Sequence, residues 1–221
     1  MLTLHHLELS RSTRVLWLLE ALALPYELKT YRRDPKTYQA PAELKAVHPL
    51  GKSPVLTDGD TLVAESAAII EYLLDNYGQG QLRPTQGQAL LDYRYWLHYA
   101  EGSLMPLLLM KLVFARIPKG PMPFFIRPIA KGLMAKVQQK FLAPQLHTHL
   151  AYIDGYLADN TWFAGDFSAA DIQMSFPLEA ASTRIEINQY RNIQAFIERC
   201  RQNPHYQQAI VKGGPVVIGA N

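Results

Sequence analysis

Three short stretches place reactive or binding groups where a fold could use them. Ser10-Arg11-Ser12-Thr13-Arg14 lies between an apolar run and a helix-like run. Ser53-Pro54 directly precedes the β-prone Val55-Leu56-Thr57, and Glu65-Ser66 opens a segment with Ile69, Ile70, Leu73 and Leu74 at helical spacing. A proline ahead of a strand cannot donate a ladder hydrogen bond and often marks a turn or a cis bond. A cis Ser53–Pro54 bond would turn the N–H and C=O of Ser53 outward, free to pair with an extended peptide. Ser66 at a helix start offers a hydroxyl beside unpaired backbone N–H groups, which suits a carboxylate. Together the two would hold a short peptide by its middle and one end. The plainer reading is a hairpin followed by a serine cap. Ser10 and Ser12 have a plain reading too, as caps or loop serines, and Ser12 has the better position for a simple N-cap.

The elements that must position these residues follow from periodicity and turn signals. Leu2 to His6 is a short strand, Val15 to Leu22 an apolar helix stopped by Pro25, and Tyr26 to Tyr31 a second strand. A β-α-β start predicts a parallel pair with a crossover helix. The segment from Arg32 to Val47 is irregular, with one short helix at Ala42 to Ala46. Asp58-Gly59-Asp60 is a tight hairpin signal between Val55–Thr57 and Leu62–Val63.

In this order the residues resemble the glutathione-binding half of the glutathione S-transferases. That family's pattern is approximately Asn-Pro-x-x-x-Val-Pro, a hairpin, then Glu/Gln-Ser opening a helix. Here it reads His48-Pro49-Leu50-Gly51-Lys52-Ser53-Pro54 and Glu65-Ser66. His48 stands for the usual Asn, and Ser53 for the usual Val at a position used through its backbone. Ser10-x-x-x-Arg14 matches the Ser-x-x-x-Arg of serine-type members, in which that serine contacts the sulfur.

The resemblance implies a fold of the α/β plus all-α kind. A thioredoxin-like βαβ-ββα domain over 1–78 is followed by a linker at 79–85 and a helical bundle over 86–221. It implies a cytosolic, homodimeric transferase of the detoxification type, with glutathione as co-substrate and no metal. Ser10 would be catalytic, with Ser12 as second choice. Glutathione would be held by Lys52, Ser53, Pro54, Glu65 and Ser66. Ser66 would take the γ-glutamyl carboxylate, Glu65 the α-amino group, Ser53 the cysteinyl backbone and Lys52 the glycyl carboxylate. A small hydrophobic electrophile or a peroxide would lie against Tyr99, Ser103, Leu104 and Phe114. Arg11 and Arg14 would add positive potential, or Arg14 would serve as a structural partner. Glu101 reads as a solvated helix residue, with a role across the dimer interface as the alternative. Glutathione-dependent peroxidase or disulfide reductase activity, and a non-catalytic binding protein of the same fold, are the competing readings.

The remaining sequence bounds the problem. The single cysteine, Cys200, excludes an internal disulfide and a CxxC pair. There is no signal-peptide pattern, so a cytoplasmic protein is expected. The longest apolar run, Leu104 to Val113, is interrupted by Pro106 and Lys111 and is too short to span a bilayer. His147 and His149 are two apart and do not converge on one helix face, which argues against a metal site. Gly78 to Pro84 breaks the helical pattern, and beyond it Leu90 to Phe114 and Ile129 to Leu157 read as long helices. Three prolines in Ile117 to Pro123 separate them, resembling an enlarged connector found in a bacterial and fungal subgroup. Ser168-Ala169-Ala170-Asp171 is a capping box with Phe167 and Ile172 at staple positions, a folding device. Two short helices follow, at Ile193 to Cys200 and Tyr206 to Val211, and Gly213 to Asn221 reads as a loose tail. The formal net charge is +3, but no Asp or Glu occurs from Gly102 to Ile153. Without a nucleic-acid motif, that stretch reads as a solvated helical face, with anionic ligands or a membrane surface as the alternative.

Overall fold

The computed structural model describes residues 1–35 and 37–216. Strand β1 (Leu2–Leu7) leads into helix α1 (Ser12–Ala21) and strand β2 (Tyr26–Tyr31). Helix α2 (Ala42–Val47) precedes the hairpin β3 (Val55–Asp58) and β4 (Thr61–Ala64), and helix α3 (Ser66–Tyr77) closes the unit. The sheet order is β2-β1-β3-β4. β1 runs parallel to β2 with Leu2 opposite Tyr26, and antiparallel to β3 with His5 opposite Val55. This is the expected βαβ-ββα arrangement, and Gly59 takes the positive φ of +57° that its turn requires.

The second half is helical. α4 (Gly87–Tyr99) and α5 (Met105–Arg116) are joined by a π-helical turn at Ala100–Leu104. α6 (Arg127–Val137) and α7 (Ala143–Asp159) are joined by another at Gln138–Leu142. Each long helix expected from periodicity is therefore two helices meeting at a widened turn. The cause is legible: Pro106 and Pro144 are each the second residue after the π turn. Proline has no N–H to donate, and its ring crowds the carbonyl four residues back, so the turn before it opens. α8 (Ala169–Arg184), α9 (Arg191–Gln202) and α10 (Pro204–Gly213) complete the chain.

One apolar cluster runs through both halves. Leu4, Leu16, Leu56, Ile69 and Leu73 from the sheet half join Trp96, Leu108, Leu150, Phe163, Ile172 and Phe196 from the helical half. α1 packs on α3, α8 and α10, so its outer side is covered by the second half. The start of the expected loose tail is in fact tied down. A Cβ on Gly213 would stand 2.7 Å from Leu16 Cδ2, and Val216 is buried. Residues 217–221 of that tail lie outside the described residues. No helix among the described residues is long and apolar enough to cross a membrane.

Candidate active site

The N-terminus of α1 is built without an ordinary cap. Arg11 occupies the cap position, makes no side-chain cap bond, and no acidic residue follows in the first turn. Ser10, one residue earlier, supplies the acceptor instead: its Oγ takes the N–H of Ser12 at 3.2 Å. Ser12 is therefore the first helical residue rather than the cap that its position suggested. It is buried, and its Oγ lies 2.7 Å from Nδ1 of His6.

The protons in this group can be assigned from chemistry. His6 Nε2 is 2.8 Å from the carbonyl of Gly213, which can only accept, so Nε2 carries the hydrogen. Burial holds the His6 pKa below its ordinary value, with the Gly213 carbonyl pulling the other way. The imidazole is thus neutral, Nδ1 is an acceptor, and Ser12 Oγ donates to it. Ser10 Oγ is 2.8 Å from Ser12 Oγ. With the Ser12 proton committed to His6, Ser10 is the donor of that pair and its proton has only a neutral oxygen as partner. Sequence reasoning missed His6, because nothing local distinguishes it from a buried strand residue.

Arg14 is a buried hub. Its Nη2 donates to Ser66 Oγ at 3.2 Å and to Glu101 Oε1, and its Nη1 donates to the carbonyl of Gln173 at 2.9 Å. Its guanidinium also lies over the Phe176 ring, 5.1 Å from the centroid. Burial lowers the Arg14 pKa, and Glu101 is the main group opposing that shift. Arg11 Nε pairs with the other Glu101 oxygen at 3.2 Å. Glu101 is therefore not a free solvated residue. It sits in the π turn and joins both arginines of α1 to the helical half.

Beside Ser10 lies an open cavity of about 570 Å³. It is lined by Ser10, Arg11, Lys52 and Ser53 of the expected residues, and by Arg33, Lys45 and Arg184, which sequence reasoning did not single out. Five cations face it, and no Asp or Glu is among the lining residues. The apolar wall is Leu7, Leu9, Met105, Leu109 and Phe176, among others. Arg33 is held by the carbonyls of Glu8, Leu9 and Tyr38. No spacing rule could link residues 33, 45 and 184, since only the fold brings them together.

The segments expected to bind a peptide have the expected local form. The Ser53–Pro54 bond is cis. Ser53 Oγ donates to the carbonyl of His5 at 2.9 Å and accepts the N–H of Leu7 at 3.1 Å, so its side chain extends the β1–β3 ladder. Glu65 has φ +73°, a left-handed conformation rare for a non-glycine residue and typical of functional turns. Ser66 is buried and accepts from Arg14, which leaves its own hydrogen free to donate. Pro54, Glu65 and Ser66 are not among the residues lining the cavity.

The four residues expected at the electrophile do not line it either. Leu104 is buried in the core, Tyr99 is buried and bonded to His149 Nδ1, Phe114 packs against the core, and Ser103 is not among the lining residues. Met105 and Leu109 line the cavity from the same stretch of chain. The π turn shifts the helix face by about one residue relative to a regular helix, which sequence periodicity does not register. His147 bonds Tyr190, and no metal-holding group of His, Cys, Asp and Glu occurs among the described residues.

Comparison with known proteins agrees with this geometry. Residues 10–76 match the family model "Glutathione S-transferase, N-terminal domain", and residues 110–204 match the corresponding C-terminal domain. The chain is 39% identical over 208 residues to glutathione S-transferase 3 of Schizosaccharomyces pombe, covering 92% of this chain and 84% of that one. It is 35% identical to glutathione S-transferase 1 of Saccharomyces cerevisiae, covering 81% and 80%. Among solved structures, a glutathione S-transferase from Actinobacillus pleuropneumoniae superposes with a TM-score of 0.77 at 36% identity, over 96% of this chain and 93% of that one. The chain belongs to the glutathione S-transferase family.

Proposed function

We propose that this glutathione transferase activates the glutathione thiol through Ser10 and directs the thiolate at a hydrophobic electrophile. The observation that carries the reading is the Ser10 hydroxyl at the start of α1, in a cavity faced by five cations and no carboxylate. A free thiol has a pKa of about 8.5, so little of it is thiolate at neutral pH. Lowering that value by two units takes about 2.7 kcal/mol of preference for the anion. A hydroxyl donating to an anion supplies about 1.5–3 kcal/mol, and a helix N-terminus roughly 0.3–1 more. Serine therefore acts as donor and not as base. With Ser12 donating to His6, the Ser10 proton is the one free to turn to sulfur.

The rest of the site follows the same logic. Ser66 donates to the γ-glutamyl carboxylate, and Glu65 takes the α-amino group. The Ser53 backbone beside Pro54 pairs with the cysteinyl residue. Lys52 takes the glycyl carboxylate, with Lys45 close enough in the same cavity to share it. Met105, Leu109 and Phe176 form the electrophile wall in place of Tyr99, Ser103, Leu104 and Phe114. A glutathione S-transferase from a sphingomonad, of the same fold at 22% identity, was solved with glutathione bound, which is consistent with this use of the scaffold. The same reading takes residues 1–78 and 86–221 as the two domains, with 79–85 as linker, in a cytoplasmic homodimer. Cys200 is buried, and burial drives its pKa up. That disfavours a protein-bound mixed disulfide, so any reductase or peroxidase turnover would run through glutathione itself.

The test is a titration of glutathione by calorimetry, with thiolate absorbance followed against pH, for wild type, Ser10→Ala and Ser12→Ala. The expected result is a lowered thiol pKa in wild type and a return towards the free value in Ser10→Ala. A larger rise in Ser12→Ala than in Ser10→Ala assigns the wrong serine here. Absence of glutathione binding leaves the non-catalytic reading.

A further inference from the structure

Residues 102–153 carry seven cations, Lys111, Arg116, Lys119, Arg127, Lys131, Lys136 and Lys140, and no acidic residue. None of the seven is ion-paired among the described residues, though Arg116 lies over the Tyr38 ring. A solvated helical face would account for the charge alone. It does not account for the large apolar side chains that the fold leaves in water between the cations. Phe124 is 84% exposed, Ile129 70%, Phe125 64% and Leu133 56%, and Phe141 is exposed as well. Phe124 and Phe125 meet edge to face, and their only aromatic partners among the described residues are each other. α6 buries none of its residues and packs on the turns that flank it.

We propose that residues 117–141 form a docking surface for an anionic lipid bilayer. Phe124, Phe125, Ile129 and Leu133 enter the boundary between headgroups and acyl chains. Lys119, Arg127, Lys131, Lys136 and Lys140 face lipid phosphates and carboxylates. A run that combines cations with exposed aromatic and aliphatic side chains binds such an interface through both terms at once. A second copy of this chain is the poorer occupant. A two-fold contact that set this run against its own copy would bring unpaired cations together in a medium of low dielectric.

A second observation favours a lipid phase over an acidic protein. Leu109 lines the cavity and is itself exposed, and Val113 and Ile117 follow at intervals of four residues, both exposed. They form an apolar track along α5 from the cavity wall to the start of the docking segment. A hydrophobic electrophile dissolved in the bilayer would have a dry route to the thiolate. This part of the argument rests on the cavity being the electrophile site, whereas the docking does not.

The experiment is co-sedimentation of the full chain with vesicles of phosphatidylcholine alone and of phosphatidylcholine mixed with phosphatidylserine. The protein is expected to pellet with the mixed vesicles, not with the neutral ones, and to be released as salt rises. Lys131→Glu with Lys136→Glu is expected to lower the partition coefficient by at least about fivefold per reversed cation. Phe124→Ser with Phe125→Ser is expected to abolish pelleting. Both double variants should keep wild-type conjugation of a water-soluble aromatic halide, which reports an intact fold and an intact site. No pelleting with mixed vesicles, equal pelleting with neutral ones, or self-association in solution that these substitutions remove would each overturn the proposal.

Discussion

Helices α1 and α8 both begin beside a serine, and the two starts have opposite chemistry. At α8, Ser168 is the cap and Asp171 stands three residues on. Ser168 Oγ accepts the N–H of Ala170, and Asp171 accepts the N–H groups of Ser168 and Phe163 and the Ser168 hydroxyl. Burial pushes the Asp171 pKa up to about 7, against those three donors. At α1 the same two positions are Arg11 and Arg14, and the serine sits one place earlier. The carboxylate that complements these arginines is Glu101, reached from another helix. One start is closed by its own residues and serves folding. The other has no carboxylate of its own and turns Ser10 and Arg11 towards a cavity, where an anion can use its terminal field. A serine at a helix start is thus ambiguous until the residue three positions beyond the cap is known.

The contrast can be broken from either side. The largest effect is expected from Glu101→Gln, which leaves buried Arg14 without its counter-charge. Denaturant unfolding should show a loss of about 3 kcal/mol. The thiol pKa of bound glutathione should not rise, and a rise would place the carboxylate in the chemistry. Asp171→Ala should cost about 2 kcal/mol, because buried N–H groups of Phe163 and Ser168 lose their acceptor. Its folded fraction should bind glutathione as wild type does.

Ser10→Ala reverses that pattern. Stability should change by less than about 1 kcal/mol, while kcat/KM falls by roughly 10–100-fold, the loss of one hydrogen bond to an anion. Equal losses of stability and activity would show that α1 is closed in the same sense as α8.

A smaller effect concerns pH. His6 is neutral in the fold, with its pKa lowered mainly by burial. Below its ordinary value of 6.5 the unfolded chain takes up a proton that the folded chain resists, so stability falls on acidification until the lowered folded value is passed. His6→Phe should flatten part of that slope in unfolding curves recorded across it. The smallest expected effect is none at all: native Cys200 should not react with a thiol reagent, since it is buried and its thiolate disfavoured.

Much of this was legible in the chain. The β-prone runs of β1 to β4, the helical periods in α1 and α3, the Asp58-Gly59 turn and Pro25 marked the sheet half. The Ser168-x-x-Asp171 box marked α8, because all its partners lie within a few residues. Ser10, Lys52 and Ser53 were legible through local order, and they do face the cavity. That Met105 and Leu109 line the cavity was not: a π turn ahead of Pro106 changes which side of α5 faces inward, and a constant 3.6-residue period does not register it. The solvated reading of 102–153 saw charge but could not see that Phe124, Phe125 and Ile129 are left exposed.

The sequence by itself determined which elements form and how their ends are built, because propensity, capping and turn chemistry act over a handful of residues. It also determined the family. Only the tertiary structure decided how charge and protons are shared. Arg14 could have been a source of potential or a strut, and it is a strut because Ser66, Glu101 and Gln173 arrive from three other elements. Ser10 could have been a cap equal to Ser12, and it differs because His6 and the Gly213 carbonyl, at opposite ends of the chain, claim the Ser12 proton. Low-dielectric burial makes each such partner decisive, and partners distant in sequence are known only once the chain has brought them within hydrogen-bond reach.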